Sequence, residues 1–284
     1  MKGLIRNSVI AFAALAFSAC SSSGETRAQA GSTPEPVGEG KVKVTYIANE
    51  GVMIEGDGIK IVIDGLHRKY LDEYAYPPDD LREQLEQAKG EFADIDLLLF
   101  SHIHGDHFSA ESARLHLLNN KNAVLASSPQ IVDAMKKDFG ELARIEGRLN
   151  AIPWEWKTEH SYNKEVKISF LGLSHGTGRH ASIQNFGHVI EVAGLKFLHL
   201  GDADMTDENF DSFDLEEAGI DVAFIPYRYL LSERGRELVD RQFKPKRIIA
   251  VHIDVNEAEK LKKDLEAADP RIRVFTKILE TATF

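Results

Sequence analysis

The chain has 284 residues, of which 43% are hydrophobic and 28% are charged. This balance is typical of a globular protein and excludes a polytopic membrane protein, a wholly disordered chain and a coiled-coil rod. The net charge of −11 repels a polyphosphate backbone, so no nucleic acid partner is expected, and the single cysteine excludes an intrachain disulfide and a multi-cysteine zinc site.

Residues 1–19 have the pattern of a signal peptide, in which a positively charged start precedes the apolar run 9–17. The run is too short to span a bilayer, which takes about 20 residues. Residues 17–20 resemble the lipobox of bacterial lipoproteins, which implies that Cys20 is lipidated and anchors the chain to a membrane. Because serine follows the cysteine, we expect a cell-envelope protein on the outer membrane, facing the periplasm. The alternative is an ordinary signal peptide with an incidental cysteine.

Residues 20–40 are rich in Ser, Gly, Pro and Glu and contain almost no large apolar side chain. Such a composition cannot bury a core, so it predicts a flexible tether. The folded domain is therefore expected at 41–284. Its first part alternates β-branched and polar residues and contains the turn Asp57-Gly58, which predicts a β-meander with a hairpin.

Short apolar runs and amphipathic stretches predict the remaining elements. In chain order we expect strands at 42–47, 51–55 and 59–63, a helix at 79–89, a strand at 96–101, a helix at 110–118, a strand at 123–126, a helix at 129–139, strands at 147–152, 165–173, 186–192, 196–200 and 222–225, a helix at 232–243, a strand at 247–253, a helix at 256–268 and a strand at 273–278. Strands first form a meander and later alternate with helices, which predicts an α/β protein with sheets inside and helices outside.

The strongest local signal is the sequence His-Ile-His-Gly-Asp-His at 102–107, directly after a buried strand. Three imidazoles and one carboxylate are costly to place together unless a cation orders them, and these ligand types suit zinc, iron or manganese. His102 and His104 project to the same side of an extended loop and could grip one metal. Asp106 and His107 lie beyond the glycine and could face a second metal. The alternative is a surface histidine cluster.

This motif resembles the HxHxDH sequence of the metallo-β-lactamase-fold hydrolases, and the resemblance extends over residues 41–284. It implies an αββα sandwich, in which two mixed β-sheets are flanked by helices and carry a metal site at one edge. The resemblance also implies a further histidine, a bridging aspartate and a last histidine, each at the end of a strand.

Three side chains lie at or just beyond the ends of predicted strands, where those ligands are expected. His175 is the further histidine, and His180 in the same loop is the alternative. Asp202 follows a strand and a glycine, and it is expected to bridge the metals. His252 is the last histidine, for which a buried core histidine is the alternative. Asp64 ends a strand and is expected to fix the ring of a ligand histidine, unless it is only a turn residue.

The resemblance implies a dinuclear centre. One metal would be held by His102, His104 and His175, the other by Asp106, His107 and His252, with Asp202 between them. Zinc is the expected metal because hydrolysis needs no redox change, and iron or manganese are the alternatives. The expected reaction is attack of a metal-bound hydroxide on an ester, lactone or phosphodiester bond, with Asp106 as the catalytic residue that shuttles the proton.

Three segments, 46–55, Gly201-Asp202 and 221–226, resemble the subgroup that contains lactonases and N-acyl-phosphatidylethanolamine phospholipases D. We therefore expect a small-molecule or lipid substrate. Asp202 argues against a β-lactam substrate, since class B β-lactamases usually have cysteine or histidine in that region. The alternatives are a mononuclear Fe(II) persulfide dioxygenase and a non-catalytic metal-binding envelope lipoprotein.

Three features are expected to shape a substrate pocket. The loop 67–78 contains three tyrosines and two prolines and could form a lid over the metals. Arg179 could hold a phosphate or carboxylate with two hydrogen bonds. Tyr227, Arg228 and Tyr229 follow a buried strand and could line the cleft. The alternative for the loop 67–78 is a packed surface loop without a role in binding, and the alternative for Arg179 is an arginine that faces the solvent.

Overall fold

The computed structural model describes residues 42–155, 157–162 and 166–284. The predicted signal peptide, the tether, the domain start at 41 and the lipidation site Cys20 lie outside the described residues. Within those residues, no helix combines the length and the apolar character needed to cross a membrane.

The described strands form two seven-stranded mixed sheets. The first contains β1 (Val42–Ala48), β2 (Gly51–Gly56), β3 (Ile59–Ile63), β4 (Leu97–Leu99), β5 (Val124–Ser127), β6 (Leu149–Ala151) and β14 (Thr281–Thr283). The second contains β7 (Lys157–Ser161), β8 (Lys167–Ser174), β9 (Gln184–Val192), β10 (Leu195–His199), β11 (Val222–Pro226), β12 (Arg247–Val251) and β13 (Ile272–Val274). The strand orders are β14-β1-β2-β3-β4-β5-β6 and β13-β12-β11-β10-β9-β8-β7.

Each sheet is antiparallel in one half and parallel in the other. In the first sheet β14 and β1–β3 pair antiparallel, and β3–β6 pair parallel. In the second sheet β7–β10 pair antiparallel, and β10–β13 pair parallel. The predicted hairpin is confirmed between β2 and β3. Asp57 and Gly58 both have positive φ, of 50° and 78°, as a two-residue hairpin turn of the mirror-image type requires.

Helices cover the outer face of each sheet. α1 (Asp79–Glu86), α2 (Ala110–Asn119) and α3 (Pro129–Lys136) pack on the first sheet. α4 (Asp207–Phe210), α5 (Leu215–Ala218), α6 (Tyr227–Leu231), α7 (Glu233–Leu238) and α8 (Ala258–Ala268) pack on the second. The side chains of Ser109 and Ser128 cap α2 and α3 by accepting hydrogen bonds from the first helical turn.

The apolar residues separate into three layers, one between the sheets and one under each set of helices. Phe170, Phe186, Phe197 and Phe224 are fully buried between the sheets. Truncating one such phenylalanine to alanine costs about 3–5 kcal/mol, so the middle layer fixes the relative position of the two sheets. The predicted α/β class and αββα sandwich are confirmed.

The strand directions bring five chain segments to one edge of the sandwich. β3 and β4 run parallel and end next to Asp64 and the 102–107 motif. β8, β10 and β12 point the same way in the second sheet and are followed by His175, Asp202 and His252. Side chains that are far apart in the sequence therefore meet where these strands end.

Several predicted elements differ from the structure. The helix predicted at 129–139 ends at Lys136, and the helix predicted at 232–243 is α7 followed by a π-helical turn at Val239–Phe243. The edge strand β7 was not predicted because its sequence is polar and mostly exposed. The strand β14 and the helices α4, α5 and α6 were also not predicted, because segments of three to five residues carry too little periodicity.

Candidate metal centre

Two groups of potential ligand atoms lie together at the edge of the sandwich. In the first group, atoms of His102, His104, His175 and Asp202 all lie within 4.8 Å of one another. The nitrogen His104 Nδ1 is 3.0 Å from His102 Nε2 and 3.1 Å from His175 Nε2. Three ring nitrogens at this spacing match a coordination shell, because zinc–nitrogen bonds are about 2.0–2.1 Å long.

The second group consists of Asp106, His107 and His252, again within 4.8 Å of one another. Asp106 Oδ2 is 3.4 Å from His107 Nε2 and 3.3 Å from His252 Nε2. His107 and His252 are almost completely buried, yet His107 Nε2 and both ring nitrogens of His252 have no hydrogen-bond partner in the described structure. Buried polar atoms without partners are costly, and a bound cation would satisfy those that face the centre.

Asp202 belongs to the first group and also reaches the second. Its Oδ2 is 3.5 Å from His175 Nε2, and its Oδ1 is 3.3 Å from His252 Nε2. One carboxylate therefore presents one oxygen to each group, as a ligand that bridges two metals does. The residues present fit the dinuclear centre implied by the sequence.

The charges around the centre favour a cation. Burial lowers the pKa of His102 and of His175, so both rings are held in the neutral form that binds metals. Burial also disfavours a charged His107, but the carboxylates of Asp106, Asp202 and Asp64 outweigh it and raise the pKa of His107 overall. Positive charge is therefore favoured at the position where the second metal is expected.

Asp64 contacts the 102–107 motif and the serine that precedes it. Its carboxylate is fully buried and accepts hydrogen bonds from the backbone N–H and the hydroxyl of Ser101, and it lies 2.9 Å from His107 Nδ1. A carboxylate of this kind can only accept, so the ring donates from Nδ1 and turns Nε2 toward the centre. Burial raises the pKa of Asp64, but the hydrogen bond and charge of His107 lower it overall. This geometry matches the role expected for Asp64.

Two residues of the β1–β2 connection were missed by the sequence analysis. The Asn49 side-chain amide donates to the backbone oxygen and to Oδ2 of Asp106, at 3.2 Å each. Glu50 is fully buried, and neither carboxylate oxygen has a hydrogen-bond partner. Burial raises the pKa of Glu50 well above its usual range. In the sequence, these are two polar residues between two apolar strands. That pattern is typical of an ordinary turn, so it gave no indication of a functional role.

The centre opens into a cavity of about 740 Å³. The cavity is lined by Tyr70, Leu71, Tyr74, His104, Asp106, His175, Arg179, His180, Asp202, Ala203, Asp204, Met205, Pro226, Arg228 and Tyr229. The predicted lid loop 67–78 therefore supplies one wall. Tyr74 also contacts the centre directly, since its ring meets the His252 ring edge-on at 4.6 Å between centroids.

The residues expected to bind substrate have different environments. Arg179 lines the cavity. Tyr229 lines it as well but is almost fully buried, and its hydroxyl donates to Ala203 O at 2.9 Å. Tyr227 is not among the cavity residues and packs, partly buried, against the apolar layer under the helices. Successive residues of a helix point in different directions, and Arg228 between the two tyrosines lines the cavity.

The structure distinguishes the two candidate histidines of the β8–β9 loop. His175 approaches His104 and Asp202, whereas His180 stacks on the His175 ring with centroids 4.7 Å apart. We expect His175→Ala to lower the metal content by at least one ion per chain, because a donor at the centre is lost. His180→Ala should retain the full metal content. Elemental analysis of both variants checks this prediction, and the opposite order of losses would make His180 the ligand.

Residues 75–275 match the family model described as "Beta-lactamase superfamily domain". The chain belongs to the beta-lactamase superfamily. The prediction of a metallo-β-lactamase-fold hydrolase is confirmed at this level. The match to the family model does not specify the subgroup, the metal or the substrate.

Individual relatives of this superfamily member are distant. A "UPF0173 metal-dependent hydrolase" of Pelotomaculum thermopropionicum is 24% identical over 74% of this chain and 84% of the relative. The "Cleavage and polyadenylation specificity factor subunit 3" of Dictyostelium discoideum is 25% identical over 68% of this chain, which spans only about a quarter (25%) of that relative. Among solved structures, the metallo hydrolase Igni18 of Ignicoccus hospitalis is similar in fold, with a TM-score of 0.55, 20% identity and coverage of 86% of this chain and 98% of the other.

Proposed function

We propose that this chain is a dinuclear zinc hydrolase that cleaves an ester, lactone or phosphodiester bond in a small-molecule or lipid substrate. The observation that carries the proposal is Asp202, which presents one oxygen to each of two histidine-rich groups. A purely structural zinc site is closed by four ligands. Here seven side chains converge, and four of them line an open cavity: His104, Asp106, His175 and Asp202.

When bound, two divalent ions would polarise the scissile bond and lower the pKa of water toward neutrality. The side chains of the protein supply the remaining functions. Burial raises the pKa of Asp106, but the nearby rings of His107 and His252 lower it overall, so the carboxylate is ionised. Asn49 holds Asp106 Oδ2 in place at 3.2 Å. We propose that Asp106 shuttles the proton of the attacking water to the leaving group, the role that the resemblance implies for it.

The resemblance to lactonases and N-acyl-phosphatidylethanolamine phospholipases D supports a lactone or phosphodiester substrate rather than a β-lactam. We also propose that Cys20 is lipidated and anchors the chain to the bacterial outer membrane, facing the periplasm. The support is the signal-peptide and lipobox pattern of residues 1–20. Mass spectrometry of the mature N-terminus tests this, and an unmodified Cys20 or a cut elsewhere would exclude it.

The experiment that tests the function combines elemental analysis with a substrate screen on the full chain. Metal-free protein is reconstituted with zinc, iron or manganese and assayed on esters, lactones, phosphodiesters, phospholipids and β-lactams. We expect two zinc ions per chain and turnover on at least one of the first four classes. One iron per chain with oxygen uptake on a persulfide would support the dioxygenase alternative, and two metals without any turnover would support the non-catalytic one.

A further inference from the structure

Two guanidinium groups, those of Arg228 and Arg179, line the cavity beside the metal centre, and the part of the lining that they form is called the basic wall. Arg228 is the second residue of α6, directly beyond the end of β11, and its side chain is 51% exposed. Its Nη2 lies 3.7 Å from Asp202 Oδ1, so the guanidinium reaches the rim of the proposed centre. A group bound by Arg228 would lie next to the reacting atoms.

Arg179 is the second guanidinium of this wall. Its Nε donates to His180 Nε2 at 3.0 Å, and His180 stacks on His175. Within the described ranges, no carboxylate lies within ion-pair distance of Arg179, and Arg228 has only Asp202. Arg271, by contrast, has a close carboxylate partner in Asp269, at 2.6 Å.

Guanidinium groups with free N–H donors in a cavity are the groups that recognise carboxylates and phosphates, because their planar fork matches two oxygens. The wall therefore fits an anionic group of the ligand. Both arginines lie on segments that follow strands of the second sheet, β8 and β11, so rigid elements fix the places from which their side chains start.

A second part of the lining is aromatic and apolar. Tyr70 and Leu71 of the loop 67–78 are 52% and 42% exposed and line the cavity, as do Tyr74 and Met205. The Tyr70 ring lies directly on Gly105 of the 102–107 motif, where a Cβ would come within 2.7 Å of the ring. Glycine at this position thus allows the loop to approach the centre. Covering this exposed apolar surface with the body of a ligand removes it from water, which favours binding.

From these two walls we propose that the cavity binds a substrate in which a carboxylate or phosphate group adjoins an aromatic or apolar body. Arg228, assisted by Arg179, holds the anionic group beside the metal centre. Tyr70 and Leu71 cover the apolar body. This inference rests on the proposed function and specifies its substrate class, and it makes Arg228 the main specificity-determining residue.

The test measures binding by calorimetry on the metal-reconstituted full chain, with phenylphosphonate, phenylacetate, inorganic phosphate and neutral benzyl alcohol as probes. We expect phenylphosphonate or phenylacetate to bind at least about 10-fold more tightly than benzyl alcohol, and phenylphosphonate more tightly than phosphate. The better of the two aromatic anions identifies the preferred anionic group.

Variants separate the two walls. Arg228→Met should weaken binding of the aromatic anions about 10- to 100-fold, as expected for the loss of a charge-assisted hydrogen-bonded pair, while Arg228→Lys should restore part of it. Arg179→Met should have a smaller effect in the same direction. Tyr70→Ala should remove the advantage of phenylphosphonate over phosphate and leave phosphate binding unchanged.

Two controls accompany these variants. Arg247→Met removes an exposed arginine at the start of β12, at the opposite end of the strand from the centre, and should bind all probes as the natural protein does. Elemental analysis of every variant shows whether the metal content is unchanged, which separates loss of the anion site from loss of metal.

Unchanged binding of aromatic anions to both Arg228→Met and Arg179→Met would overturn the proposal, as would equal affinity of the natural protein for phenylphosphonate and benzyl alcohol. Calorimetry requires no turnover. If the binding preference is observed but the substrate screen shows no cleavage, the proposed hydrolysis fails while the anion site stands.

Discussion

Replacing Asp202 with alanine is expected to release one metal ion per chain and to lower turnover by about 10³-fold or more, equivalent to about 4 kcal/mol of transition-state stabilisation. The reason is geometric. Asp202 is the residue whose two oxygens face both ligand groups, at 3.5 Å from His175 Nε2 and 3.3 Å from His252 Nε2. Without it, the repulsion between two neighbouring cations is no longer offset by a shared anion.

Elemental analysis and steady-state kinetics on the best substrate of the screen measure this effect. Asp202→Asn retains the shape of the side chain but removes its charge, so it should lose almost as much activity as the alanine variant. Asp264→Asn on α8 removes an exposed carboxylate that pairs with Lys260, and it should behave as the natural protein. Two metals and full turnover in Asp202→Ala would rule out the dinuclear arrangement.

Asp64→Asn is expected to destabilise the fold by about 3 kcal/mol and to weaken metal binding about 10- to 100-fold. The buried carboxylate accepts from the backbone and hydroxyl of Ser101 and from His107. An amide offers only one accepting oxygen, so at least one of these donors is left buried without a partner. His107 then loses the contact that fixes its ring.

Urea unfolding and competitive metal titration measure the two effects. Asp57→Asn is a matched control, because Asp57 and Asp64 have nearly the same left-handed φ, 50° and 49°, which asparagine also tolerates. Only the buried aspartate should therefore show a large change. Because the folded-state pKa of Asp64 is lowered, its ionised form stabilises the fold at neutral pH, and this contribution declines as the pH falls below about 4. Equal stability of both variants would contradict the assigned role.

The sequence was sufficient to predict the features that depend on local pattern. The hairpin at Asp57-Gly58 was predictable because a two-residue turn of this kind needs residues that tolerate positive φ. The motif at 102–107 was recognisable because three histidines and an aspartate are rarely placed together without a ligand to bind. His175, Asp202 and His252 could be selected because each follows a strong apolar strand, and parallel strands deliver such residues to one edge.

Features that depend on distant contacts could not be predicted. Glu50 and Asn49 read as turn residues, and only the docking of the β1–β2 connection against Asp106 and His199 shows that they are buried near the centre. Arg228 and Tyr227 are adjacent in the sequence, and the packing of α6 on the second sheet decides which of them faces the cavity.

The sequence by itself therefore determined the fold class, the superfamily and the strand ends at which the potential ligands lie. The apolar periodicity of the strands and helices and the 102–107 motif involve residues that are close together in the chain, so they can be recognised in the sequence alone. Only the tertiary structure decided that Asp202 contacts both ligand groups, that His175 rather than His180 approaches them, and that two arginines line one cavity together with aromatic side chains. These are distances between residues far apart in the chain, and they are set by how two sheets pack across a common apolar layer.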